Sequence, residues 1–565
     1  MHQPHAQPRA SIYYPYQVFK PWLPSQHGTQ PRHPVVIAGA GPIGLVTALE
    51  LARHGVASVV LESELQVSEG SRAIVFTRRS MEILQQVGVA ERMLTDALPW
   101  RFGNSFYRGQ QVFRMEAPHD DNDRYWPMTN LQQQYLEEYL IDAARAQPLI
   151  ELRWGNKLER LLQHDKAVRL AVDTPAGPYE LEADWLVAAD GARSPLRSQL
   201  GLKMEGASYE GRFVIADIRI DLDLPTERLA FFDPAWNPGN TVLMHREPHG
   251  IWRIDYQLPA DETPEQALAG PALSARINAQ LAMIGHAGTP WELDWSSVYS
   301  ARAMTLPDYR HGRVLFAGDA AHLLPIFGVR GANTGFQDAQ NLGWKLASVH
   351  KGLASEALLD TYSQERVAAS REICEEAGKS TRFMTPPTPG FRLLRDAVLS
   401  LSLREDFVRP LYHWRTSRPH EYRQSALNAP EPLAPAWPGG PGLGAQLHNL
   451  RLSDGRFLFD HLGPAFTLLV FAQEPALPAD VQAVLMRWRA RGVPLQTVCI
   501  GSPATACDGM GADVCLTADP ARVAQRYGVS APGAAYLARP DQHVCARWPA
   551  LDAASLDAAL QRALA

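Results

Sequence analysis

Three glycines at the head of the chain have the spacing that brings a backbone up to a phosphate. The β-branched run Val35, Val36 and Ile37 leads into Gly39, Gly41 and Gly44, with Pro42 and Ile43 between them, and an apolar pattern follows through Leu45, Ala48, Leu49 and Ala52. This reads as strand, tight turn and helix, with amide N–H groups and the positive end of the helix dipole aimed at a pyrophosphate. The run Ser58 to Leu61 reads as a second strand ending in Glu62 and Ser63. Glu62 lies where an acid binds the hydroxyls of an unphosphorylated ribose. The glycine spacing alone is weak; the flanking strand, helix and acid make it specific.

Two further segments carry related chemistry. In WLVAADGARSPLRSQLGL a strand ends at Asp190-Gly191, with Ser194 and Arg197 following at helical spacing. Asp190 can cap the turn, Gly191 lets the backbone approach a ligand, and Arg197 offers a bidentate cation. In GRVLFAGDAAHLLPIFGVRGANTGFQDAQNLGWKL, residues 312 to 346, the strand Val314–Phe316 runs into Gly318-Asp319, then Pro325 and Gly331 bend the chain into a helix from about Asn333. Ligands of open α/β sheets bind outside the carboxyl ends of the strands. Phosphate-type segments so far apart in sequence imply one large dinucleotide, and FAD is the first candidate. Asp319 would accept from ribityl hydroxyls, and the N–H groups of Gly331, Ala332, Asn333 and Thr334 would face the pyrimidine end of an isoalloxazine. His322 is read as packing and hydrogen-bonding within its motif rather than as a base.

These residues need a frame. Residues 1–33 form a Pro- and aromatic-rich arm (IYYPYQVFKPWLP) expected to drape over the body or a neighbouring subunit. Residues 34–380 form a Rossmann-like α/β domain, with helices through Arg79 to Val87, from Leu131, from Asn333 and from about Ser355 to Lys379. A β-rich substrate domain is inserted at about 90–130 and 203–300, where strands such as RFVIADIRIDL and GIWRIDYQL alternate. Residues 381–445 form a helical and Pro-rich linker, in which GGPGLGAQL lacks a preceding strand and reads as linker chemistry. Residues 446–565 open on the buried strand FTLLVF and are large enough for an α/β domain of their own.

Composition excludes several classes. A formal charge of −6 with no basic run argues against nucleic acid. No stretch has the apolar length of a membrane helix, and residues 1–28 lack the apolar core of a secretion signal, so a cytoplasmic address is the expectation. The cysteines, Cys374, Cys499, Cys507, Cys515 and Cys545, include no CxxC, so neither a metal site nor a redox-active pair is expected.

The motifs GAGPIGL, DGARSPLR and GDAAHLLP…GANTGFQDAQNLGWKL together resemble the three signatures of the single-component (group A) FAD-dependent aromatic hydroxylases of the para-hydroxybenzoate hydroxylase fold. The likeness spans about 34 to 380. It is nearest to the larger phenol-hydroxylase and 3-(3-hydroxyphenyl)propionate hydroxylase branch, whose thioredoxin-like C-terminal domain is similar to the region around YGVSAPGAAYLARPDQHVCARW. The resemblance implies FAD contacts at Arg72 and Gln133 and at the signature residues named above. It also implies NADH or NADPH as a transient electron donor, O₂ as co-substrate, and hydroxylation of a phenolic ring through a flavin C4a-hydroperoxide, ortho to an existing hydroxyl. The expected partners are a small aromatic substrate and a second copy of the chain in a homodimer. Alternatives are the same chemistry on a bulky polyketide or antibiotic and, more distantly, a flavin-dependent halogenase or reductase; the halogenase WxWxIP segment is missing from WELDWSSVY. This chain departs from the family at Pro325-Ile326-Phe327-Gly328-Val329-Arg330-Gly331, where Arg330 replaces a common neutral amide. Arg330 and Pro325 are the expected catalytic positions, with Arg330 facing either the active site or the outer surface of the loop. Phe232, His245, Arg253 and Tyr256 are the expected substrate wall.

Overall fold

The Val35–Ile37 run is buried on both sides, as the central strand of a parallel sheet must be. In the computed structural model, which describes all residues except 25–30, 71–72, 260, 326, 413–418, 431–438, 472–476, 502–510 and 530–531, it lies in β1 (His33–Ala38). The side chains of residues 209, 210 and 301 are also not described. Arg72 and Cys507 therefore lie outside the described residues. Helix α1 (Pro42–Arg53) follows with Pro42 in its first turn, then β2 (Ser58–Glu62), α2 (Arg78–Gln86), β3 (Phe102–Tyr107), α3 (Gln133–Arg145), β4 (Ile150–Trp154) and β5 (Tyr179–Ala188).

Next come β6 (Glu205–Arg219), β7 (Arg228–Phe232), β8 (Thr241–Arg246), β9 (Ile251–Gln257), α4 (Gly270–Met283) and β10 (Glu292–Thr305). The chain returns with β11 (Val314–Phe316), α5 (Gly331–His350) and α6 (Leu358–Met384). Strands β11, β5, β1, β2 and β4 lie side by side and parallel, so the three glycine-bearing motifs end at one edge of one sheet. The second sheet runs β10-β6-β9-β8-β7-β3, and helix α4 covers one of its faces through Leu273, Ile277 and Leu281.

The last region consists of β12 (Phe466–Phe471), α7 (Ala479–Ala490), β13 (Leu495–Gly501), β14 (Val514–Thr517), α8 (Pro520–Tyr527), β15 (Ala534–Ala538), β16 (Val544–Trp548) and α9 (Ala553–Ala563). Its sheet order is β14-β13-β12-β15-β16, parallel on one side of β12 and antiparallel on the other. Its core is continuous with the first domain's: Trp344 of α5 meets Phe466 edge-on at 5.6 Å.

A buried ionic cluster also joins the two regions. Arg539, in the turn between β15 and β16, donates to both carboxylate oxygens of Glu365 on α6, at 2.6 and 3.1 Å, and to Asp541 at 2.6 Å. Glu365 also accepts from Lys345 of α5 at 2.7 Å. Arg79 of α2 donates to Gln542, to the Asp541 carbonyl and to Gln340 of α5. The N-terminal arm lies on the same chain's body. Tyr14 and Phe19 are buried, the Phe19 amide donates to the Leu65 carbonyl, the Trp22 amide to the Trp154 carbonyl, and Ser11 and the Ile12 amide to Asp294. No helix among the described residues is long and apolar enough to cross a membrane.

Candidate active site

The first glycine loop is shaped by contacts no side chain could share. Gly39 has a φ of +103°, and a Cβ on Gly44 would stand 2.0 Å from the Gly39 carbonyl oxygen. Gly41 differs: a Cβ there would meet nothing within 4 Å, so the loop leaves open space at the head of α1. Ile43 points across the sheet edge and fills the space that side chains at Gly318 and Gly335 would need, locking the first signature to the third. Glu62 closes the far side. Its carboxylate accepts from the Ala40 amide at 2.8 Å, the Glu64 amide at 3.0 Å and the Ser63 hydroxyl at 3.2 Å. Burial pushes its carboxyl above the ordinary range, and these donors pull the other way.

The second signature is self-capped. Asp190 accepts from the Ser194 hydroxyl at 2.8 Å and the Leu196 amide at 3.2 Å; its other oxygen is buried without a hydrogen-bond partner. Arg197 does not reach for a phosphate here: it donates to the carbonyls of Ala320 and Ala192 and so pins the second signature to the third. Asp319 is exposed at the end of the turn after β11, beside Arg197, and Gly191 and Gly331 face open space. Gln133 accepts from the Ala73 amide at 3.1 Å.

The stretch from Phe327 to Thr334 is held under strain at Val329. Val329 has a φ of +63°, an outlier for a β-branched residue. Its side chain packs against Ile74, Val75, Trp100 and Met128, and its carbonyl accepts from Asn333 at 3.0 Å. The Asn333 side chain is wholly engaged, accepting from the Thr77 amide and the Ser80 hydroxyl and donating to the Val75 carbonyl. Its backbone N–H lies in the first turn of α5. The Thr334 hydroxyl is buried without a partner. Arg330 is 6 % exposed at the N-cap of α5, not on the outer surface of the loop. It bears on Cys374 of α6, whose thiol burial pushes to about 11 while the Arg330 charge pulls it down.

One residue absent from the sequence reading organises the motif. Asp338 accepts from the Gly318 amide at 3.0 Å, from His322 at 2.7 Å and from Arg366 at 2.6 Å. His322 is thus a buried hydrogen-bonding partner inside its motif. An acid eight residues beyond Arg330 in a helix carries no spacing signal of its own, which is why Asp338 was not singled out.

The second sheet turns one face toward these loops. Strand alternation places Phe213, Ile215 and Asp217 of β6, Arg228, Ala230 and Phe232 of β7, Leu243 and His245 of β8, and Arg253 and Asp255 of β9 on that face. Phe327 of the strained loop meets Phe213 edge-on at 5.2 Å. Phe232 and His245 lie on this face. Arg253 does too, but its guanidinium is clasped by Asp217 at 2.7 and 2.8 Å and lies 3.3 Å from Glu247, so it serves the sheet's own ion cluster. Tyr256 is corrected: its parity is that of Trp252 and Ile254, and it points to the opposite, helix-covered face, against Trp236 and Arg276. One residue of register separates the two faces. Asp255, Arg228 and Tyr299 were missed for the same reason, since their parity with Phe232 was unreadable before strand direction was fixed.

The open space at Gly41 and Gly331, the unpartnered Asp190 oxygen and the buried Thr334 hydroxyl all follow the carboxyl ends of β1, β5 and β11. They fit a long dinucleotide ending under the strained loop. Known proteins agree. An FAD-binding domain family matches residues 32–377. The 3-(3-hydroxy-phenyl)propionate/3-hydroxycinnamic acid hydroxylase of Mycolicibacterium smegmatis is 30% identical over 463 residues, 81% of this chain and 80% of that one. The enzyme of the same name from Escherichia coli is 30% identical over 64% of each chain. Among solved structures, aklavinone-11 hydroxylase in ternary complex with FAD and aklavinone superimposes with a TM-score of 0.75 at 26% identity, covering 95% of this chain and all of that one. The flavin-dependent monooxygenase PieE, in complex with FAD and substrate, shares the fold with a TM-score of 0.77 at 24% identity over 95% of this chain and 99% of that one. The chain belongs to the FAD-binding family of single-component aromatic monooxygenases.

Proposed function

We propose that this enzyme hydroxylates a phenolic ring, ortho to an existing hydroxyl, with NADH or NADPH as electron donor and O₂ as co-substrate. The observation that carries the reading is the sheet face opposite the strained loop: buried, aromatic along the edge that meets Phe327, and lined elsewhere with ionisable groups. Such a wall excludes water and presents both a ring surface and hydrogen-bonding partners. The names of the relatives, hydroxylases of 3-(3-hydroxyphenyl)propionate and 3-hydroxycinnamic acid, support a hydroxylated ring as substrate. When bound, FAD supplies the redox chemistry, accepting electrons from the nicotinamide and activating oxygen.

The chain's own residues hold and shield. Glu62 and Ser63 would meet the adenosine ribose, and the turn at Gly39, Gly41, Pro42, Ile43 and Gly44 the pyrophosphate. Asp190, Gly191, Gly318 and Asp319 would line the ribityl stretch, with Arg72 and Gln133 on its other side. The amides of Gly331, Ala332, Asn333 and Thr334 would face the pyrimidine edge of the ring system. Pro325 would close the site beside it, and Arg330 would add positive potential. The C-terminal region, with its βαβ unit joined antiparallel to a ββα unit, is read as a thioredoxin-like domain. Lacking CxxC, it is assigned structural rather than redox work.

A second reading, oxygenation of a bulky polyketide-derived ring, is supported by the fit of aklavinone-11 hydroxylase along 95% of the chain. One experiment separates the readings: stimulated NADH or NADPH oxidation across 3-(3-hydroxyphenyl)propionate, resorcinol and a hydroxyanthraquinone, with oxygen uptake and mass spectrometry of products. Stimulation by the single-ring phenols with a gain of one oxygen is expected. Response to the anthraquinone alone favours the second reading, and nicotinamide oxidation without oxygen uptake overturns both.

A further inference from the structure

The substrate-facing side of the second sheet is built in rows across the strands. One outer row is Phe232, Thr241, Phe213 and Tyr299, and it meets the flavin loop through Phe327. The opposite outer row contains His245, Arg253, Asp217 and Trp295, and Trp295 packs so closely on Gly70 that a Cβ there would lie 2.3 Å from its ring. Both outer rows thus touch the FAD-binding domain. Between them runs a middle row of Ser105, Ala230, Leu243, Asp255, Ile215 and Ser297.

Asp255 is the one ionisable side chain in that middle row. It is 7 % exposed. Among the described residues its carboxylate takes no hydrogen bond and is met only by charges at longer range. Asp217, also buried, provides the contrast: it is clasped by both arms of Arg253. A buried carboxylate with no donor is costly to keep, and natural proteins leave such groups where a ligand completes them.

Resting on the reading of this face as the substrate wall, we propose that Asp255 is a catalytic residue: its carboxylate accepts the hydrogen bond of a ring hydroxyl of the substrate and takes that proton as the ring is attacked. The O–H bond breaks with its electron pair left on the ring oxygen. The proton stays on Asp255 until the product hydroxyl re-forms, so the residue ends the cycle as it began. The surrounding groups suit the role. Burial pushes the Asp255 carboxyl up to about 7, with Arg253 pulling it down and Asp217 pushing it further up. Arg228 on β7 opposes that rise. His245 on β8 is held neutral by burial and by Arg228 and Arg253. Glu247 is pushed well up by burial, and burial and Asp255 push up the Tyr299 phenol on β10. A base poised near neutrality is the effective kind.

The test compares Asp255→Asn and Asp255→Glu with the parent holoenzyme, using 3-(3-hydroxyphenyl)propionate, resorcinol and a hydroxyanthraquinone as probes. Asp255→Asn is expected to lower kcat/KM about 100-fold or more at pH 8, with flavin content and melting temperature unchanged. The parent's kcat/KM should rise through pH 7 and level off; the Asn variant should lose that limb and the Glu variant keep it. The difference spectrum of a bound phenol should show the neutral phenol in the parent and in Asp255→Asn alike, because the proton moves only as the ring is attacked. An Asn variant that keeps the pH limb, or a parent that already ionises the bound phenol before attack, overturns the proposal alone. A parent enzyme that none of the probes stimulates overturns the phenol reading and this proposal together.

Discussion

Replacing Arg539 with Met should undock the C-terminal domain while leaving both cores intact. The guanidinium is 1 % exposed and is the common partner of Glu365 and Asp541, themselves buried. Removing it leaves two carboxylates facing each other, with Lys345 the remaining cation on Glu365 and Asn341 the donor left to both. Breaking a buried pair from one side costs about 3–5 kcal/mol. With a urea m-value of about 2 kcal/mol/M for a domain of this size, the domain's midpoint should fall by about 2 M. Intrinsic fluorescence reports it through Trp488 and Trp548, both buried in that domain. Flavin fluorescence reports the other domain separately. Adding Asp541→Asn should recover part of the loss, because Glu365 keeps Lys345 as its cation and the second carboxylate is no longer left facing it. A midpoint shift below about 0.5 M for Arg539→Met, or no recovery in the double variant, would refute the idea that this cluster holds the domains together.

Two further outcomes are expected. Gly41→Ala and Gly44→Ala should differ: the first fills space reserved for a ligand, so the FAD-free protein should melt as the parent does yet fail to retain FAD, while the second collides with the Gly39 carbonyl and should lower the melting temperature itself. Differential scanning fluorimetry with and without added FAD separates the two. Acid should loosen the site from the helix side. Burial alone would raise Asp338, Glu365 and Asp541, but Arg366 and His322, Arg539 and Lys345, and Arg539 and His543 respectively hold each below its ordinary range. The unfolded chain therefore binds more protons, so their stabilisation is full above about pH 4.5 and is lost as pH falls through the lower folded values. Urea midpoints at pH 6 and pH 4 should show the decline.

Much of the FAD-binding half was legible because its signals are local. Gly39, Gly41 and Gly44 declare a turn, Val35 to Ile37 a buried strand, and Glu62 closes the unit at a fixed distance. The substrate wall was not legible in the same way. Whether Tyr256 or Asp255 faces the flavin depends on a single step of strand parity, and both strand faces here are buried, so the usual alternation of apolar and polar residues does not tell them apart. Asp338 and the Arg539 cluster were hidden for another reason: their partners lie tens to hundreds of residues away, and no spacing along the chain announces a meeting of α2, α5 and α6 with a turn after residue 538. Val329 was hidden because nothing in its side chain suggests a left-handed backbone.

The arm laid over the first domain has a consequence for how the chain is made. Its residues Ser11 and Ile12 find a partner as late in the chain as Asp294. At ordinary elongation speeds of roughly 5–20 residues per second, that partner appears tens of seconds after the arm has left the ribosome. In that interval IYYPYQVFKPWLP is an extended, sticky segment with no sheet to join. Pro15, Pro21 and Pro24 lack the N–H that strand pairing requires, and Lys20 adds a charge. The prolines that make this stretch poor secondary structure in the finished enzyme also keep it from pairing with a neighbouring nascent chain while it waits.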